Sequence, residues 1–323
     1  MSLVSVVVLT WNSRELVAGA LDSALAQGWS PIEVIVCDNA SDDDTPAAVA
    51  ARFRDRVRLA CLERNFGYAG GYNRALALAS GDFVLALNPD VRLAPDFLEC
   101  AMPAFDDPRV GIVAGRLVRP GGEVDSSGQF LGRSRRTLDR GFGQPHDPAR
   151  DRAGAVLSAC GAAALYRRAM IDDVSDGAEL FDEDYFAYHE DLELGWRAWR
   201  AGWRAVHVPG AVAEHLRGGG RRRPLLRDKP PAVVAHIVKN RWLAMLRHDR
   251  AGAVVADLPW IAARDLALAL LVLAPRPAAV RELWRARGAF GRAREKRRAD
   301  RARSGAWGAW RQDVPPRGEW EAT

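Results

Sequence analysis

The sequence predicts an α/β protein with a Rossmann-like mixed central sheet and flanking helices, followed by a helical C-terminal region. Three observations carry that expectation. Short apolar runs alternate with helical patterns through the first hundred residues, as parallel strands covered by helices do. Asn12, Asp38, Asn65, Asn88 and Asp90 fall at the carboxyl ends of those runs, where open sheets build their sites. Beyond about Arg217 a basic stretch, "RGGGRRRPLLRDKPP", gives way to helical patterning. A chain of 323 residues with 48% hydrophobic content supports a sizeable core and excludes wholesale disorder.

Each element has its own signal. "SVVVLT" reads as a buried first strand, since the N-terminal apolar run lacks a basic leader and is too short to span a bilayer. A helix follows with Val17, Leu21, Ala24 and Leu25 on one face, and Asn12 with Glu15 resembles a capping box at its start. "IEVIVCD" is the second strand. Thr45 then reads as an N-cap, with Pro46 at the first helical position. "VRLACLE" is the third strand, the glycine-rich "NFGYAGGYN" a turn, "RALALA" a helix, and "DFVLALN" a strand running into "PDVRL". Residues from about Pro120 to Arg152 show little periodicity and predict a long, partly mobile loop over a substrate. "AVLSACGAAALYRR" predicts one further strand. In "HEDLELGWRAWRAGW", Leu192, Trp196 and Trp199 lie at i, i+4 and i+7, so that face belongs to the core. Cys37, Cys61, Cys100 and Cys160 lie far apart without metal-binding spacing, which predicts reduced thiols.

Several of these positions carry two readings. Asp90, emerging just after a buried strand with Asn88 on the same side, suits a hard cation, and "NPD" equally suits a type I turn. Asp38 offers an acceptor to the N3–H of a pyrimidine, or belongs to an acidic run that caps a helix. Arg74 suits a diphosphate or an ordinary helix surface, in a turn whose glycines are not spaced GxGxxG. Glu190 and Asp191 sit where a helix dipole favours carboxylates, and His215 alone reads as structural.

Taken in order, "TWNS", "DNASDDDT", "NFGYAGGYNRA", "ALNPDV", "FDEDYFAYHEDLELGWRAWRAGW" and "AEHLRGGG" resemble the inverting glycosyltransferases of family 2, with the GT-A fold, over about residues 3 to 219. The likeness is to the rhamnosyltransferase-like branch, which uses "NPD" where others carry DxD. The resemblance implies that Thr10, Trp11 and Asn12 line a nucleotide pocket and that Asp38 binds the base. Asn65, Asn73, Arg74 and Asn88 would complete the nucleotide-sugar site. Asp90 would ligate Mg²⁺ or Mn²⁺ with His215 as a second ligand, and Asp191 would be the general base. It implies a catalytic domain over 1–219, with a nucleotide-sugar half to about 115 and an acceptor half after it. The implied activity moves L-rhamnose from dTDP-L-rhamnose to a lipid-linked or polysaccharide acceptor in cell-envelope glycan synthesis. A UDP-linked hexosamine, galactose or galactofuranose is the alternative donor, and a silent nucleotide-sugar-binding scaffold the non-enzyme alternative. Asn88 in place of an aspartate, Ala75 and Cys160 depart from the family pattern.

The net charge of +5 is concentrated between Arg276 and Arg303. Residues 220–323 therefore read as a helical, basic region. Its longest clean apolar run, Leu266 to Ala274, is too short to cross a bilayer and suits an interface. The expectation is a cytoplasmic protein held peripherally on the anionic inner face of the plasma membrane. The competing expectation is an amphipathic helical pair packed on the catalytic domain. No motif for reading nucleic acid is present.

Overall fold

The computed structural model describes residues 2–217 and 226–303. The basic stretch 218–225 and the tail beyond 303 lie outside the described residues. The strands are β1 (Val4–Thr10), β2 (Ile32–Asp38), β3 (Arg58–Cys61), β4 (Phe83–Leu87), β5 (Val91–Leu93), β6 (Val110–Val118), β7 (Val124–Ser126), β8 (Gln129–Leu131), β9 (Thr137–Asp139), β10 (Gly154–Val156), β11 (Ala163–Arg167) and β12 (Arg204–His215). The principal sheet runs β10-β12-β6-β11-β4-β1-β2-β3. β1, β2, β3 and β4 are mutually parallel, β11 runs antiparallel to both β4 and β6, and β12 returns parallel to β6. The sheet is mixed, as the sequence predicts.

The central strands are continuous apolar runs because both faces are covered. Val4, Val6 and Val8 face one layer with α1 (Arg14–Leu25) and α4 (Phe97–Ala101), while Val7 and Leu9 face the other with α3 (Gly67–Leu76). In that second layer Tyr72, Tyr166 and Phe181 pack ring against ring. Parallel register aligns the strand ends: Thr10 lies beside Asp38, and Asp38 beside Cys61. The carboxyl rim therefore follows from the chain direction alone.

Four local expectations need correction. α1 begins at Arg14 behind Ser13 without a side-chain cap. Asn12, at φ +51°, instead accepts from the backbone of Asp42, so it ties two rim loops together. Thr45 is the first residue of α2 (Thr45–Phe53), behind Asp44. The stretch read as a loop, 120–152, holds β7, paired to β6, and the β8–β9 hairpin. Strands of three residues are too short for a period-2 pattern to declare itself. The single strand expected across 155–168 is two, because Cys160 and Gly161 turn the chain between β10 at the sheet edge and β11 at its centre.

The remaining helices are α5 (Arg168–Val174), α6 (Glu190–Arg200), α7 (Pro231–His248), α8 (Ala251–Ala256), α9 (Leu258–Leu268), α10 (Pro277–Arg285) and α11 (Gly288–Arg303). Leu192, Trp196 and Trp199 of α6 are buried with Leu157, as their spacing predicts. The opposite side of α6 meets α7 through buried charge. Arg247 pairs with Glu193 at 3.2 Å, Asp182 at 3.3 Å, Asp176 at 2.6 Å and Asp300 at 2.9 Å, while His248 Nε2 lies 2.8 Å from Glu193. Burial would raise the pKa of Glu193, but Arg197, Arg247 and His248 hold it well below the usual carboxylate range. The C-terminal helices are thus joined to the helix that carries Asp191.

Candidate active site

At the amino-proximal rim, Thr10 Oγ1 donates to Asp38 Oδ1 at 2.8 Å, and Ser41 supplies its backbone N–H and hydroxyl to the same carboxylate at 2.9 and 2.6 Å. Asp38 is buried and held as an acceptor at the strand end. Trp11, the residue after Thr10, is 56% exposed. Asn65 accepts from Asn39 Nδ2 at 3.1 Å and from the Gly67 backbone at 2.7 Å, while Asn39 also receives the Phe66 N–H. Asn39 is a determinant the sequence reading passed over, hidden in "DNAS" between more conspicuous acids.

Gly67 opens α3 at φ +73°, and a Cβ there would stand 2.4 Å from the Phe186 carbonyl. That carbonyl accepts from Ala69 N, which lays the segment ahead of α6 across the start of α3, a helix that takes in Gly67 to Asn73 where the sequence predicts a turn. Phe186, Tyr188 and His189 all have positive φ, a conformation that disfavours non-glycine residues and gathers at functional sites. Asn240 of α7 holds it, donating to the carbonyls of Tyr185, Ala187 and Tyr188 at 2.6 to 2.9 Å. Asn73 serves the same segment, bonded through both ends of its amide to the Phe181 backbone. Arg74 pairs with Glu183 at 2.8 Å and lies over the Phe66 ring. In this structure, therefore, Asn73 and Arg74 fasten α3 to the segment that leads to α6.

β5 pairs antiparallel with the end of β12, placing Asp90 beside His215. His215 Nε2 lies 3.4 Å from Asp90 Oδ2. Nδ1 faces Asp125 Oδ2 at 2.8 Å, and Asp125 also receives Arg217 twice and Arg119 once. Asp125 is fully buried; burial would raise its pKa, but His215 and Arg217 hold it far below the ordinary range. Burial works against a charged His215, and Asp125 and Asp90 outweigh it to raise its pKa. A carboxylate fixing Nδ1 so that Nε2 faces a cation is how protein metal ligands are oriented. The 3.4 Å gap is close to the roughly 3 Å edge of an octahedron with bonds of about 2.1 Å. Among the described residues no group of three or more His, Cys, Asp or Glu converges on one point. Such a pair fits Mg²⁺ or Mn²⁺ only with further ligands from water and a diphosphate.

Asp191 lies at the start of α6, 9% exposed. Its Oδ2 accepts from Gly161 N at 2.8 Å and Gln129 Nε2 at 2.9 Å, and its Oδ1 from Leu192 N at 2.8 Å. Gly161 admits this approach because any Cβ would meet the Tyr68 hydroxyl at 2.7 Å. Burial raises the pKa of Asp191 against these three donors. Burial and the neighbouring Asp191 push Glu190 well above the carboxylate range, and Glu190 Oε2 has no hydrogen-bond partner among the described residues. Of the adjacent acids, Asp191 is the one whose ionised form is supported. Ala162, next to Gly161, accepts from Asn88 N at 2.8 Å, and Asn88 is two residues from Asp90. One short turn thus links the carboxylate of Asp191 to the rim that holds Asp90 and His215. Gln129 and Asp125 both lie in the stretch read as a loop, and sequence offers no signal for contacts reaching 62 and 90 residues away.

A mixed sheet whose parallel strands β1–β4 continue through antiparallel β11 into β6 and β12, with helices on both faces, is a GT-A-type fold. The chain belongs to glycosyl transferase family 2, whose profile matches residues 5–175. It is 30% identical over 266 residues, 74% of this chain and 82% of the other, to the N-acetylglucosaminyl-diphospho-decaprenol L-rhamnosyltransferase of Mycobacterium tuberculosis. A shorter match, 35% over 92 residues covering 28% of this chain and 36% of the other, is to an Escherichia coli UDP-Glc:alpha-D-GlcNAc-diphosphoundecaprenol beta-1,3-glucosyltransferase. Among solved structures, the fold is shared with a Pyrobaculum calidifontis mannosyltransferase in complex with GDP-Man and Mn²⁺, at TM-score 0.56 and 22% identity over 93% of this chain and 85% of that one. It is also shared with S. aureus TarS in complex with UDP-GlcNAc, at TM-score 0.58 and 19% identity over 93% and 87%.

Proposed function

We propose that this glycosyltransferase moves L-rhamnose from dTDP-L-rhamnose to an N-acetylglucosaminyl-diphosphoryl lipid, with inversion. The observation that carries the reading is Asp191, donor-supported and one turn from the Asp90–His215 pair. The choice of sugar and acceptor rests on the mycobacterial relative. Asp38 accepts from the base, Thr10, Trp11 and Asn12 frame the nucleotide, and Asn65, Arg74 and Asn88 border its ribose and diphosphate. The acceptor hydroxyl, whose pKa lies far above neutrality, gives its proton to Asp191 as its oxygen bonds to the anomeric carbon. The bond from that carbon to the diphosphate breaks in the same displacement, and base assistance contributes about 10² to 10⁴ in rate. When bound at Asp90 and His215, Mg²⁺ or Mn²⁺ supplies positive charge beside the departing diphosphate.

The acceptor's lipid gives the C-terminal helices a role. Among the described residues no single helix is long and apolar enough to cross a membrane; Leu258–Leu273 and Pro277–Arg285 form a pair bent by 119°. Leu266, Leu270, Leu271 and Trp284 are exposed on it, Leu271 at 71%, and Arg281, Arg285 and Arg287 stand alongside. A ridge of this kind suits an anionic bilayer surface, which would hold the protein peripherally on the inner face of the plasma membrane.

The test is transfer with dTDP-L-rhamnose, UDP-glucose, UDP-N-acetylglucosamine or GDP-mannose, each with Mn²⁺, and NMR assignment of the product's anomeric centre. Rhamnose transfer with inversion is expected. Transfer from a UDP sugar alone would replace the donor, and retention would remove the single-displacement mechanism.

A further inference from the structure

We propose that Gln129 is a positioning residue for the general base, using the second site on Asp191 Oδ2 so that only Oδ1 is left to take the acceptor's proton. The inference rests on the reading of Asp191 given above. An ionised carboxylate offers about four acceptor sites, two on each oxygen. Gly161 N and Gln129 Nε2 fill both on Oδ2, and Leu192 N fills one on Oδ1. One site remains, and its direction is fixed by the other three. Of the three donors, Gln129 is the one supplied by a side chain.

Gln129 is built for this contact. Its backbone is held on both sides, N–H to the Ser158 carbonyl at 2.8 Å and C=O receiving Leu157 N at 3.0 Å. Its side chain is buried, and its Oε1 has no hydrogen-bond partner among the described residues. The reversed amide would set an oxygen against the carboxylate oxygen at 2.9 Å, so the tie to Asp191 fixes which end points inward even though Oε1 goes unmatched. The titratable groups around the carboxylate are Glu190 on its own helix, Tyr68 on α3, Tyr166 on β11 and Cys160 in the turn before β11. All are acids whose ionisation burial disfavours. Among the described residues no Arg, Lys or His pairs with Asp191, which leaves neutral N–H donors as the support for its charge.

The experiment compares wild type, Gln129→Leu, Gln129→Met and Asp191→Asn, using dTDP-L-rhamnose, Mn²⁺ and an N-acetylglucosaminyl-diphosphoryl lipid. The readouts are the pH dependence of kcat/KM and the dTDP-induced thermal shift. Losing the amide donor should move the acid limb of kcat/KM upward by about one pH unit, lower kcat at neutral pH, and leave the thermal shift unchanged. The Gln129→Met variant keeps nearly the same side-chain length without a donor and should move the limb the same way, which decides the matter if the leucine variant does not fold. An acid limb at the wild-type position in the folded variants overturns the role of Gln129. If Asp191→Asn itself remains active, the assignment of the base fails, whatever Gln129 does.

Discussion

Asp191 is both the proposed base and a source of instability, and the two properties have one cause. Burial raises its pKa in the folded chain above its unfolded value. A group shifted this way stabilises the fold while protonated, a contribution fully present below the unfolded pKa of about 3.9 and lost as pH rises through the folded value. At neutral pH the ionised carboxylate therefore works against folding. Asp191→Asn should raise Tm at pH 7, and the gain should shrink as pH falls toward 4; differential scanning calorimetry across that range checks it. The same shift brings the base closer to working pH, so the acid limb of kcat/KM should lie above that of an ordinary aspartate. Asp125 has the opposite sign: its pKa is held far down by His215 and Arg217. Asp125→Asn should loosen His215, and the Mn²⁺ dependence of the dTDP-induced thermal shift should weaken by about 10- to 100-fold in apparent metal affinity. Asp38, Asp90, Asp191 and His215 were singled out through the family resemblance, which picks them out at the ends of periodic elements. Asp125 and Gln129 were not, because nothing local to "VDSSGQF" distinguishes a buried acid or amide from a loop residue.

Elements transmit these positions. α6 carries Asp191 at one end and, three residues on from Glu190, the fully buried Glu193, in an ion network with Arg247 of α7 that extends to the partly exposed Asp300 of α11. Removing one partner from such a network strands the others in a low-dielectric interior, at about 3–5 kcal/mol. Arg247→Met should accordingly lower Tm by on the order of 10 °C, a shift that thermal denaturation reads directly. Asn240→Ala acts on the neighbouring contact, releasing three carbonyls of a left-handed segment. It should reduce kcat more than it reduces donor binding, since the residues proposed to bind the nucleotide lie on other elements. The apolar face of α6 followed from spacing alone, whereas nothing in the sequence marks Glu193, Arg197 or Asn240 as buried. Periodicity records which faces are apolar and is silent on charged faces that meet each other. The short strands β7 to β9 were lost for the related reason that three residues give too little pattern.

Across the described residues, the sheet order sets the parallel strands β1 to β4 apart from the β12 end on which α6 packs, and the helical region is fastened to α6 while its own outer ridge stays exposed. Composition located that region, and its packing on the rest of the chain, the competing expectation, is present: Arg247 pairs with Asp182, Arg135 with Asp249, and Arg241 donates to the Ser134 carbonyl. The exposed leucines are a separate face. Leu270→Asp with Leu271→Asp should reduce binding to vesicles of anionic phospholipid by about 100-fold or more, from the loss of two side chains each contributing about 1.5–3 kcal/mol when buried. Transfer to a water-soluble acceptor should be unaffected, and undiminished vesicle flotation would reject the ridge as the contact.

One rim is proposed to bring together a proton acceptor at Asp191 and a cation-holding pair at Asp90 and His215. Sugar transfer and Mn²⁺-dependent dTDP binding, measured side by side on Asp191→Asn and Asp90→Asn, probe both halves of that arrangement at once. The first variant should bind dTDP as wild type does while transfer falls by about 10²-fold or more, and the second should lose the metal-dependent part of binding. Transfer by Asp191→Asn within a few-fold of wild type would rule out Asp191 as the base and with it the shared rim.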